Sequence, residues 1–274
     1  MVNISILSKL LIWFAVANLN SCIEGQTKTI DHENYSHSAN SKEIKARKVS
    51  EIPLPEGFTR LKTDTTSFEN YLQNLPLNTH DNKIYSFDGT VISNENNHYR
   101  IIDIDIGTRD LQQCADAVIR LRAEYLFRQK KYNQIHFNFL SDGKPRYYNE
   151  YSNGDRTYKK FRKYLDYIFS YANSSSLKDE MLPLKQIGEM RIGDVFIQKG
   201  NPIGHAVIIV DMAENKSTGK KIMLIAQSYM PAQSIHILIN PNDKNLSPWY
   251  NIDFEDPLTL PSWNFMKKDL RRFK

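Results

Sequence analysis

Three side chains of this sequence combine into a recognisable chemistry: the thiol of Cys114, the imidazole of His205 and the carboxamide of Gln227. A thiolate is a strong nucleophile, an imidazole can take and return its proton, and a third polar group can hold the ring in one orientation. Cys114 falls in the opening turn of the strongest helical stretch, Asp110 to Gln129. Unpaired backbone N–H groups and the helix dipole there favour an anion and predict a lowered thiol pKa. His205 follows Gly204 and opens the apolar run HAVIIVD, so a sheet can aim it. Singly, each residue has a plainer reading: a cysteine on an apolar helix face is more often structural than catalytic.

Gln227 enters through strand pairing. The runs 205–211 and 221–227 flank a polar loop, and a hairpin centred near Lys216 sets His205 directly opposite Gln227. Opposed residues share a face with Cβ atoms about 4.5–5.5 Å apart. Asp211 is the rival orienter; alternation gives it the face of His205, but it lies about 20 Å further along the strand. A slip of one residue turns Gln227 to the other face.

The elements that must position these groups follow from periodicity. Ser67 to Leu75 reads as a short amphipathic helix, and Asp110 to Gln129 as a long one with Asp110 suited to its N-cap. In the latter Cys114, Val118, Leu121 and Tyr125 share one face. Residues 156–172 predict a further helix, followed by a linker of Ser and Lys. The spans 100–106, 135–140, 194–198, 205–211, 221–226 and 234–239 read as strands, and Tyr147 to Tyr151 as an aromatic strand or loop. Helices first and strands afterwards predict an α+β fold with helices packed on an antiparallel sheet.

Residues 1–21 carry Lys9 and then the apolar run LLIWFAVANL, about ten residues and too short for a bilayer core that needs roughly 20. The run ends in Leu19-Asn20-Ser21-Cys22, which resembles a bacterial lipobox; the resemblance implies cleavage before Cys22 and lipidation of that residue. Cys114 is then the one thiol left in the mature chain. Residues 22–51 are poor in large apolar side chains and read as a flexible tether, leaving 52–274 as a single domain. The expected location is the cell envelope of a Gram-negative bacterium, with the lipid in its inner or outer membrane.

Three segments carry a further resemblance: Gln113-Cys114-Ala115-Asp116, Gly193-Asp194-Val195-Phe196 and Gly204-His205-Ala206-Val207. Their order resembles the NlpC-type papain-like cysteine peptidases and amidases. The resemblance implies a papain-like core with Cys114 as nucleophile, His205 as base and Gln227 as orienter. Cys114 and His205 stand further apart than such a core needs, which makes Phe137 to Ser176 an inserted cap or substrate wall. The stretches Gln227 to Gln233 and Ser247-Pro248-Trp249-Tyr250 are similar to an uncharacterised Bacteroidetes lipoprotein family, a likeness that covers nearly all of the domain and brings no activity with it.

The expected function is a thiol hydrolase, an amidase or peptidase acting on cell-wall peptide amides through a Cys114 acyl-enzyme. Backbone N–H groups at the helix start, with Gln113 as a side-chain candidate, would hold the oxyanion. The alternative is a non-catalytic envelope lipoprotein that binds glycan or peptide in a groove lined by Arg146 to Tyr151 and Trp249-Tyr250. No cofactor is expected. His205, His236, His136 and Cys114 lack the local spacing of a zinc site, and Asp103 and Asp105 do not make an acid/base pair by acidity alone. The net charge is +5, but Lys267 to Lys274 alone holds five basic residues against one acidic one, which reads as a solvated helix end. Without a basic stripe interleaved with aromatics, nucleic acid is not an expected partner.

Overall fold

The structure, a computed structural model, describes residues 46–92, 97–200 and 203–274. Cys22 and the expected signal segment lie outside the described residues, as does most of the expected tether. Residues 46–51 belong to the domain instead: Ala46 and Val49 are buried, and Lys48 bridges to Pro76.

An antiparallel sheet of nine strands organises the described residues. In chain order these are β1 (Thr59–Arg60), β2 (His98–Ile101), β3 (Leu182–Pro183), β4 (Val195–Gln198), β5 (His205–Glu214), β6 (Lys221–Gln227), β7 (His236–Leu238), β8 (Tyr250–Asn251) and β9 (Leu270–Arg272). They are ordered β2-β7-β6-β5-β4-β9-β3, with β1 also pairing β5 and β8 also pairing β6. The helices are α1 (Phe68–Gln73), α2 (Cys114–Arg128), α3 (Tyr148–Ser152), α4 (Tyr158–Phe169) and α5 (Ser174–Glu180). The fold is therefore mixed α/β, a large antiparallel sheet with few helices.

The centre of the sheet explains why β5 is apolar at nearly every position. Helices α1 and α2 pack against it, while Phe254, edge-on, and Phe265, tilted, pack against the Phe196 ring of the neighbouring strand. From His205 to Ala213 every residue of β5 is buried, so the period-two pattern of a half-wet strand disappears. Full burial of one such aliphatic side chain contributes about 1.5–3 kcal/mol. Entry to β4 runs through Gly193 at φ 91°, where a Cβ would stand 2.9 Å from the Phe68 ring. Glycine is required there for both backbone and space.

Several local expectations change. The strand expected over 100–106 ends at Ile101, and its acidic residues lie in the loop before α2. Tyr148–Ser152 is a helix, because the turn after the hairpin of His136–Asn138 and Pro145–Tyr147 buries Tyr148 among Phe161 and Tyr164. The expected linker after residue 172 is α5, whose start is capped by Asn173 accepting from the Ser175 and Ser176 amides. The basic C-terminus is not a helix end. Leu270–Arg272 joins the central sheet between β4 and β3, and Arg272 pairs with buried Asp194 at 2.7 Å.

Candidate functional site

Cys114 is the first residue of α2, which starts three residues later than an Asp110 N-cap would have it. Gln113 is the N-cap, and Asp116 closes the turn by accepting from the Gln113 amide at 3.2 Å. Asp110 braces the approach instead: its Oδ1 accepts from the Gln113 side chain at 2.9 Å and from the Ala232 amide at 2.7 Å. Ser228 adds a second tie, donating to the Gln233 and Gln112 carbonyls at 2.8 and 3.3 Å. The helix start is thus fastened to the loop that leaves β6.

The sulfur of Cys114 lies against the entry to β5. It contacts the Gly204 carbonyl at 4.0 Å, and the Ala206 amide also faces it, so it sits beside the backbone on both sides of His205. Gly204 makes this approach possible: a Cβ there would stand 2.3 Å from the Gln198 carbonyl and 2.3 Å from the Ser174 hydroxyl. Cys114 is 6 % exposed and His205 fully buried.

His205 Nε2 donates to Gln227 Oε1 at 2.9 Å, and the ring's other nitrogen, Nδ1, is buried with no hydrogen-bond partner among the described residues. The expected pair forms, but not in the expected register. Strand β5 carries a bulge at Val210: Asp211 opposes Leu224 while Ile209 opposes Ile225, and the pairing runs on to Ile208 opposite Ala226. Continued, it sets Gln227 opposite Val207, two residues from the expected partner. An even slip preserves the face, so Gln227 meets His205 diagonally. The same bulge moves Asp211 off the face of His205, where it binds Arg60 and Gln73.

Aromatic rings enclose the imidazole, with Tyr229, Trp263 and Phe265 centred 5.0, 5.1 and 5.9 Å from it. Trp263 is fixed by its own N–H, which donates to Gln198 at 2.9 Å. Burial raises the Tyr229 phenol pKa, and a Cys114 thiolate, once formed, raises it further. None of these rings was singled out by spacing, because the loops that carry them have no period.

Burial dominates the electrostatics. It pushes the Cys114 thiol up to about 11, with the nearby Asp116 carboxyl adding to the rise. The expected lowering at the helix terminus is reversed, because removal from water outweighs the amides of Cys114, Ala115 and Ala206 that face the sulfur. Burial likewise takes His205 down to about 4, opposed by its bond to Gln227. At neutral pH the resting state is a thiol and a neutral imidazole, not an ion pair.

Beside the sulfur is an open groove of about 230 Å³. One wall is the start of α2 with Gln113, Cys114 and Asp116; the other is Phe169, Asn173 and Ser174, together with Ile203. Phe169, Asn173 and Ser174 belong to the stretch from Phe137 to Ser176. Gln113, the side-chain oxyanion candidate, lines the groove with its amide nitrogen held by Asp110. His136 is elsewhere, stacked on Tyr147 in the outer hairpin. Of the aromatics proposed to line a binding groove, Tyr148, Trp249 and Tyr250 are core residues.

Fold and site together define a mixed α/β domain whose main sheet holds a buried His–Gln pair next to a lone thiol at a helix start. The chain belongs to the DUF4846 family, a domain of unknown function (4846), which matches residues 49–158 and 155–272. No curated protein and no solved structure matches it.

Proposed function

We propose that this protein is a papain-like thiol hydrolase, an amidase or peptidase of the cell envelope held to a membrane by lipid on Cys22. One observation carries the reading: His205 is held through Nε2 by Gln227 and keeps Nδ1 buried and unpaired among the described residues, at the point of the chain where residues 204 and 206 bracket the Cys114 sulfur. A structural histidine in that position would be expected to satisfy both nitrogens.

The chemistry begins from neutral partners. As a substrate carbonyl enters the groove, His205 Nδ1 takes the thiol proton while sulfur bonds to the carbonyl carbon. The N–H groups of the first helical residues have no intrahelical partner and, with Gln113, would receive the oxyanion. Collapse breaks the C–N bond, and the amine leaves with the proton from His205. A thioester remains on Cys114. Water, deprotonated by His205, then releases the acid and the thiol. Gln227 orients the ring but adds no charge, so imidazolium is stabilised less than it would be beside a carboxylate. Cell-wall peptide amides are the substrate class that suits an envelope anchor. The binding-protein alternative loses its main support, since most of its aromatics are buried.

The test is covalent capture. A peptidyl vinyl sulfone is incubated with the native protein at neutral pH and the adduct mapped by mass spectrometry. A single adduct on Cys114, slowed about 100-fold or more by His205→Ala, is the expected result. A native thiol that stays unlabelled while the unfolded chain reacts would refute the assignment.

A further inference from the structure

Gln227 is itself held from behind. Its Nε2 lies 3.2 Å from Nε2 of His236, directly across the sheet on β7, and His236 Nδ1 lies 2.9 Å from the Ser234 carbonyl. His236 is 1 % exposed. We propose that His236 is a positioning residue that fixes the carboxamide orientation of Gln227 and thereby the tautomer of His205, leaving Nδ1 as the bare nitrogen that serves Cys114.

The argument is one of donors and acceptors. A carbonyl oxygen only accepts, so the Ser234 carbonyl requires the proton of His236 on Nδ1. Burial lowers the His236 pKa to about 4, so the ring carries one proton at neutral pH and its Nε2 is an acceptor. The near group of Gln227 must then be its NH2, because an oxygen there would set two lone pairs against each other in a buried site. That turns Oε1 toward His205, and an oxygen at 2.9 Å requires His205 Nε2 to donate. The ring is neutral, so Nδ1 has no proton. The direction of the chain is therefore set by one backbone carbonyl and passed through three side chains to the atom that must receive the thiol proton.

Without His236 the Gln227 amide has no reason to prefer either orientation. A flipped amide presents NH2 to His205, drives the ring proton to Nδ1 and removes the base. The titratable groups packed around His236 are His98, with rings 5.8 Å apart, and His205 itself; neither replaces the acceptor at Nε2.

The functional meaning of this chain rests on the hydrolase reading, but the hydrogen-bond order does not, and the experiment separates them. Long-range proton–nitrogen spectra of the full chain labelled with 15N-histidine report each ring's tautomer at pH 7. The expected wild-type result is a proton on Nδ1 of His236 and on Nε2 of His205. His236→Phe should give His205 a mixture of tautomers and slow vinyl sulfone capture of Cys114 about tenfold or more, short of the ~10⁴-fold cost of a base locked in the wrong tautomer. His236→Gln, whose side-chain oxygen can accept from Gln227, should recover most of the rate. A wild-type His205 protonated on Nδ1 overturns the proposal without any variant, even if His236→Phe fails to fold. So does a folded His236→Phe protein with unchanged tautomer and rate. The expected wild-type tautomers with no capture of Cys114 would uphold the hydrogen-bond order and defeat the hydrolase reading alone.

Discussion

Strand β5 holds two fully buried polar side chains, Asp211 and His205, and they are treated differently. Asp211 is saturated. One oxygen accepts from Gln73 at 2.7 Å and from the Met212 amide at 2.9 Å, and the other pairs with Arg60 at 2.5 Å. Arg60 in turn donates to the Ile52 carbonyl and lies over the Trp249 ring. The cluster ties α1, β1 and the N-terminal segment to the sheet and has nothing left to offer. His205 has one nitrogen in a directed chain and one with no partner. A buried orphan nitrogen costs about 1–3 kcal/mol, and it belongs to the residue whose two chain neighbours bracket the Cys114 sulfur. Saturation makes Asp211 a fastening, and the vacancy at His205 is the one the proposed proton transfer would use.

The sharpest way to break this contrast is to delete each member. His205→Ala should reduce capture of Cys114 by about 10²–10⁴-fold while the domain stays folded. Asp211→Ala should do the opposite, costing about 3–5 kcal/mol through an uncompensated guanidinium, toward the low end because Arg60 is 21 % exposed. Chemical denaturation measures the second effect and mass spectrometry the first. If His205→Ala destabilised the fold as much as Asp211→Ala and left capture intact, His205 would be a fastening too.

Next in size is the backbone that brings the thiol to the strand. Gly204→Ala forces a Cβ against the Gln198 carbonyl and the Ser174 hydroxyl, so the entry to β5 must move. The expected outcome is a loss of about 1–3 kcal/mol and at least a tenfold fall in capture, since the Gly204 carbonyl and Ala206 amide move with it. Gly143→Ala, at a positive φ with open space around it, is the control for backbone strain without collision.

The pH dependence follows from the buried imidazoles. His205 and His236 both fall to about 4 from an ordinary 6.5, so between those values the unfolded chain binds more protons than the folded one. Stability rises with pH across that window and is lost as pH falls from 6.5 toward 4, by up to about 3 kcal/mol for each ring. Glu180 opposes this: burial raises its pKa to about 8, which favours the folded state as pH falls through that value. His205→Gln should therefore lose less stability than wild type between pH 7 and pH 5 in urea titrations. An equal loss would mean that the imidazole already carries its proton when folded.

The large features of this architecture were legible because they repeat. The run behind α2 is helically periodic and the two strands of the His–Gln pair are continuous apolar runs, and Cys114, His205 and Gln227 could be placed relative to them. The bulge at Val210 was not legible, since nothing in HAVIIVD distinguishes the residue that leaves the ladder. It shifted the pairing by one position and carried Asp211 to the other face; because Lys221 opposes Glu214, three positions from its expected partner, the bulge leaves a net slip of two at Gln227, and the His–Gln contact survived because that slip is even. Helix α5 hid behind its serines, which read as linker until Asn173 is seen to cap them. His236 was visible as a residue but not as a partner, because its role depends on a register that only β7 reveals. The thiol's electrostatics were misjudged for a related reason: a helix terminus is local and can be read from a pattern, whereas desolvation depends on everything packed around it.

The smallest effect tests that last point within α2. Two causes raise the Cys114 thiol, burial first and the Asp116 carboxyl second, and substitution can separate them. Asp116→Asn removes the charge but keeps an oxygen able to accept the Gln113 amide, so the start of the helix should hold. Asp116 is itself pushed well above the usual carboxylate range by burial, and its Oδ1 has no partner, so neutralising it relieves the site more than it harms it. The midpoint of the pH profile for iodoacetamide alkylation should fall from about 11 but stay above the ordinary 9.0, because desolvation remains. A midpoint that drops to the ordinary value would make the carboxyl the main cause and burial the minor one. A midpoint that does not move would mean that Asp116 keeps its proton even as the thiol ionises. The first outcome would make the groove beside Cys114 less dry than its burial indicates, and the neutral starting pair proposed for catalysis would have to be replaced; the second would leave burial as the cause of the raised thiol and keep that pair.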